Sequence, residues 1–118
     1  MPNDPVVSDT QFYQVVPGQD VLLRVEVGDS QDGGTSVTVD GNVQLITSGT
    51  LVLGEGSTLQ RKLAHCITTV KDVSPDTNRT DVTYVLSGGA DGEQRFSYGV
   101  SVAADGGFAR YFIDFAFI

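Results

Sequence analysis

The chain has 118 residues, 40% of them apolar, with 15 acidic side chains against 7 basic ones and a formal net charge of −8. That length fits a single domain, residues 1–118, which can build a core without metal or disulfide support. The charge argues against nucleic acid and anionic membranes as partners, because phosphate recognition needs a dense basic face. No apolar run approaches the length of a membrane span.

The acids are 12 Asp and only 3 Glu, a bias toward turns rather than helix faces. Glycine clusters punctuate the chain at 29–34, 40–42, 54–56, 87–93 and 104–107. Between them lie short segments with period-2 alternation. Strand-length runs bounded by turn signals at this spacing predict an all-β, antiparallel β-sandwich, immunoglobulin-like or jelly-roll-like, of about seven to eight strands. The Cys…Trp…Cys signature of true immunoglobulin domains is absent, since the chain has no Trp and one Cys.

Residues 1–10 read as an N-terminal arm without a signal peptide's basic and apolar regions. With the lone Cys66, which has no internal disulfide partner, this favours a cytoplasmic protein. A secreted mature domain would carry the same residues. The first strand is predicted over Gln11–Val16 and ends at Pro17-Gly18. The second is Asp20–Val27, with Val21, Leu23, Val25 and Val27 on one face.

Thr35–Val39 and Val43–Thr47 flank Asp40-Gly41-Asn42. A three-residue loop would pair Val39 with Val43 and Val37 with Leu45, keeping apolar side chains together, with Asn42 in the left-handed position. Residues 57–71 are ambiguous. Their Leu59, Leu63, Cys66, Ile67 and Val70 have helical spacing and would allow a short helix near 58–66. The β-branched run Ile67-Thr68-Thr69-Val70 favours a strand over 62–72. Residues 73–78 read as a turn, and Val82–Leu86 as a strand with Val82, Tyr84 and Leu86 on one face.

The last eleven residues hold five of the ten aromatic side chains, so this terminus must be buried in the core or against another molecule. A loop at 104–107 would make a hairpin placing Phe96 opposite Phe115, Tyr98 opposite Ile113 and Val100 opposite Tyr111. Phe112 would then cover Gly99, and Asp114 would lie near Arg95 and Arg110. Phe112 and Ile118 remain on the face that should be wet.

No catalytic constellation emerges. His65 and Cys66 are adjacent, and neighbours on a strand point to opposite faces. A zinc site needs three or four ligands, and one His with one Cys does not supply them. A carboxylate-based hydrolase would need two acids converging in a cleft. Calcium is the ion that acidic loops suit best, with Asp29 and Asp32 in one loop and Asp91 and Glu93 in another as candidate ligands. Carbohydrate is disfavoured: there is no Trp, and Tyr84, Tyr98 and Tyr111 point inward, leaving Tyr13 beside Phe12 as the one platform. The expected function is therefore a non-enzymatic interaction or assembly module that binds a protein or self-associates, with Phe112, Ile118, Phe12 and Tyr13 as contact residues. The alternative is a calcium-dependent or carbohydrate-binding β-sandwich.

Overall fold

The computed structural model describes residues 5–28, 31–46, 49–73, 77–102 and 106–118, together with the backbone but not the side chain of Asp32. Nine strands and one turn of helix follow in order: β1 (Val6–Tyr13), β2 (Asp20–Val27), β3 (Asp32–Val39), β4 (Asn42–Ile46), β5 (Thr50–Glu55), α1 (Gly56–Leu59), β6 (Leu63–Lys71), β7 (Arg79–Ser87), β8 (Gln94–Ser101) and β9 (Phe108–Phe117). They form a sandwich of a five-stranded sheet, ordered β1-β9-β6-β3-β4, and a four-stranded sheet, ordered β5-β2-β7-β8. The expected sandwich is present. The ninth strand is β5, whose Leu51 and Leu53 share a face that the glycines around Glu55 obscured.

The inward side chains alternate cleanly along β6 and β9. Ala64, Cys66 and Val70 from β6 meet Ala109, Tyr111, Ile113, Phe115 and Phe117 from β9, all essentially inaccessible. Across the gap lie Val21, Leu23, Val82, Tyr84 and Leu86 of the smaller sheet. Phe115 is the hub, with its ring 5.8 Å from Tyr84 and 5.2 Å from Phe96. Tilted and edge-on ring pairs of this kind add about 0.5–1.5 kcal/mol each beyond area burial.

Several sequence expectations give way to the fold. The proposed hairpin of residues 94–101 with 108–117 does not form. β8 pairs with β7, whereas β9 lies between β6 and β1. Phe96 and Phe115 still touch, but through the sheet-to-sheet interface rather than along a ladder. Gly99 instead faces Asp81, and the side chains of Arg79 and Asp81 lie over it. The first strand starts at Val6, five residues before the expected Gln11, so residues 6–10 of the expected arm are strand. β1 runs parallel to β9, the one parallel pair among the described strands. β9 is therefore an interior strand, and Ile118 after it donates its N–H to the Tyr13 carbonyl and accepts from the Val15 N–H.

Residues 63–71 are the strand expected over 62–72. The helix is shorter and earlier than 58–66, ending at Leu59, because the β-branched run after it belongs to β6. Its cap is Glu55, whose carboxylate accepts from the Ser57 N–H at 2.6 Å and from the Gly18 N–H at 2.8 Å.

The β3–β4 hairpin also differs from expectation. Val39 pairs with Asn42 and Val37 with Gln44, across a two-residue Asp40-Gly41 turn. Asp40 and Gly41 both take positive φ, 54° and 82°, the combination that a type I′ hairpin turn requires and that Asp-Gly supplies. Local turn geometry prevails over the matching of apolar faces.

Candidate functional site

The two outer faces of the sandwich differ in chemistry. On the four-stranded sheet, Glu26 is 3.0 Å from Arg24 and 2.8 Å from Arg95. Arg79 lies 3.0 Å from Asp81, and Thr83 bonds Ser97 at 2.9 Å. Arg24, Val85 and Arg95 are consecutive across the sheet, and Val85 is buried where the arginine stems flank it. Long cationic side chains cover apolar surface in this way while their heads stay wet. This face is finished for solvent.

The outer face of the five-stranded sheet is not. One row across it reads Ser8, Phe112, Ile67, Ser36 and Leu45. The row below the next contains Phe12, Ala116 and Leu63. Phe12, Leu45 and Val43 are 65%, 80% and 62% exposed. Apart from Val52 and Val73, every large exposed hydrophobic side chain among the described residues belongs to this face or its rim. Four inter-strand spacings of about 4.8 Å and strands of about 17–30 Å give a face of several hundred Å² in all, on which the apolar side chains gather in two rows.

Between those rows lies one polar pair. His65 Nδ1 is 2.8 Å from the Asp114 carboxylate, with Thr10 and Thr38 on either side. Asp114 thus pairs with His65, and the expected neighbour Arg95 lies on the other sheet with Glu26. Cys66 points the opposite way from His65, as expected of adjacent strand residues. It is buried, and burial followed by the nearby Asp114 charge pushes its thiol up to about 12. A thiol held neutral and inside cannot serve as a nucleophile for a surface substrate.

β4 has inverted polarity. Its Val43 and Leu45 point out to solvent, and its Asn42 and Gln44 turn toward the gap between the sheets. There they line a cleft of about 190 Å³ with an apolar floor that includes Val37, Leu51, Leu53 and Leu59. At one end Lys62 Nζ is 2.9 Å from Asp40. The hairpin register produces this inversion, since a one-residue slip would exchange the two faces.

Of the proposed contact residues, Phe12 and Phe112 lie on the apolar face and Ile118 at its rim. Tyr13 is buried instead. Its hydroxyl donates to the Gly92 carbonyl and accepts from the Gly89 N–H, each at 2.8 Å. Its ring takes the space a Cβ at Gly89 would need, so Tyr13 is no sugar platform. Ile67, Leu45, Val43 and Leu63 were missed as surface residues, because alternation marks two faces without saying which is the inner one.

Of the calcium candidates, the structure describes the side chains of Asp91 and Glu93. Asp29 lies outside the described residues, and so does the side chain of Asp32. Their loop follows Val27, which pairs with Val82, whereas Asp91 and Glu93 follow the other end of β7, where Ser87 pairs with Leu22. Val27 and Ser87 thus mark opposite ends of the β2–β7 pair. Glu93 lies 3.9 Å from Arg24. No group of three or more His, Cys, Asp or Glu among the described residues is arranged to hold a metal ion.

No helix is long and apolar enough to cross a membrane among the described residues. The chain matches no protein-family model, and no curated protein or solved structure matches it.

Proposed function

We propose that this protein is a non-enzymatic interaction or assembly module whose working surface is the outer face of the five-stranded sheet. The observation that carries the reading is the asymmetry between the two outer faces. One is covered by an Arg–Glu–Arg cluster and an Arg–Asp pair; the other presents Phe112, Ile67, Leu45, Val43, Phe12 and Leu63 around the His65–Asp114 pair, with Arg110 and Lys71 toward one end. An apolar patch of this extent costs solubility unless a partner covers it. The strongly acidic remainder of the chain keeps the free molecule soluble.

Hydroxyl-radical footprinting of the chain in native extract and after purification tests the reading. Phe112, Ile67 and Leu45 should be protected in extract and oxidised in the isolated chain, with Val52 on the other sheet equally oxidised in both. Equal oxidation of Phe112, Ile67 and Leu45 in the two states would refute it.

A further inference from the structure

We infer that two copies of this chain join through the free edges of their β4 strands, antiparallel about a two-fold axis at Gln44, into one continuous ten-stranded sheet. The inference rests on the assembly reading above and names one occupant, a second copy.

Edge strands invite pairing unless something blocks it: a charge, a proline, a bulge or a covering element. The other three edges are blocked. β1 follows Pro5 and carries the inward carboxylate of Asp9. β5 is broken by a register shift opposite Val21 and Leu22 and runs into α1. β8 carries the charged side chain of Arg95. β4, with the sequence Asn-Val-Gln-Leu-Ile, carries no charge, proline or bulge, and no other described strand pairs with its outer side.

The hairpin decides which main-chain groups are available. The pair flanking a two-residue turn exchanges both hydrogen bonds, so Asn42, Gln44 and Ile46 direct their N–H and C=O groups at β3. Val43 and Leu45 direct theirs outward. Rotation about Gln44 sets Val43 of one copy against Leu45 of the other, and the same pair recurs on the far side of the axis. Each pair exchanges both N–H and C=O groups in the narrow arrangement. The same rotation sets the two aliphatic side chains of each pair side by side.

The seam itself carries no charge. A chain of net charge −8 repels its copy over most of its surface, but β4 carries no ionisable side chain, so no like charges meet at the seam. The inverted polarity of β4 also acquires a role. Its outward Val43 and Leu45 carry the row through Phe112 and Ile67 from one copy into the next, doubling the width of the apolar face. Its inward Gln44 meets the partner's Gln44 over the clefts, where a carboxamide both donates and accepts.

Sedimentation velocity from about 10 µM to 1 mM, a span that covers weak protein pairs, tests this on wild type, Leu45→Pro, Val43→Lys and Ile67→Ser. Wild type should move from monomer to dimer. Proline at 45 removes an outward N–H, a position that edge strands tolerate, and should weaken the dimer about tenfold or more. Val43→Lys leaves the backbone intact, places a charge at the seam and should do the same, with circular dichroism confirming that each variant folds. Ile67→Ser, on the face but away from the edge, should dimerise as wild type does. A wild type that stays monomeric throughout overturns the inference while leaving the face reading to its footprinting test. A dimer that survives both edge variants, or is lost with Ile67→Ser, overturns it in favour of face-to-face packing.

Discussion

The Tyr84 phenol of one sheet and the Thr68 hydroxyl of the other are hydrogen-bonded in the centre of the sandwich, and Thr68 also lies 2.8 Å from Thr35. The other three tyrosines repeat the arrangement. Tyr111 on β9 reaches Thr80 on β7, Tyr98 on β8 reaches Asp9 on β1, and Tyr13 on β1 reaches the β7–β8 turn. Each tyrosine hydroxyl therefore ties one sheet to the other, and each buried ring keeps a partner for its polar tip.

Removing Thr68 should cost more than removing the Tyr84 hydroxyl. Tyr84→Phe leaves the Thr35–Thr68 pair intact and should cost about 1–2 kcal/mol. Thr68→Val strands both neighbouring hydroxyls in a dry core and should cost about 2–4 kcal/mol. Urea unfolding of both variants measures the order.

The tyrosines should resist alkaline ionisation. Burial, then the hydrogen bond to Asp9, pushes Tyr98 up to about 12, and burial raises Tyr13, Tyr84 and Tyr111 as well. An unfolded tyrosine ionises near 10.0. The stability tied to Tyr98 is thus complete below pH 10 and lost as pH rises from 10 toward 12. Phenolate absorbance should stay low at pH 10.5 in the native chain and appear together with unfolding. Full ionisation at that pH with the fold intact would contradict this.

Glu55 should make the chain acid-sensitive in a defined window. Hydrogen bonds from the Ser57 hydroxyl, then from the N–H groups of Ser57 and Gly18, lower its carboxyl from 4.5 to about 2. Its contribution is present above pH 4.5 and disappears as pH falls toward 2. Denaturant midpoints recorded from pH 6 to pH 2.5 should fall less steeply for Glu55→Gln than for wild type.

Cys66 should be silent until the protein opens. Its thiol is raised from 9.0 to about 12, so at pH 8 the thiolate fraction is about a thousandfold below that of a free thiol. A chromogenic disulfide reagent should leave the native chain unlabelled over hours and label it at once in denaturant. Rapid labelling of the native chain would show that the β6 core is open on that timescale.

Much of the fold was legible in the order of residues. Alternation located eight of the strands, sent Tyr84 and Tyr111 inward and separated His65 from Cys66. The same alternation could not choose a partner for a face. Phe96 and Phe115 share a contact whether their strands lie side by side or in opposing sheets, and the tertiary structure chose the second. The surface site was less visible, because its residues are ordinary strand hydrophobics. Phe112 stood out because the alternation of the last strand puts it on the face expected to be wet, and Phe12 only as the neighbour of Tyr13.

By itself the sequence determined the all-β class, the punctuation by glycine and aspartate, and the inward-facing aromatic mass of residues 108–118. These follow from local propensity and period-2 patterning, which each segment carries on its own. Only the tertiary structure decided that β9 is an interior strand capped by a parallel β1, that β4 turns Val43 and Leu45 to solvent, and that the exposed large apolar side chains gather mostly on one outer face. Those outcomes depend on which strands become neighbours. Pairing is set by register and sheet packing across long stretches of chain, which no single segment contains.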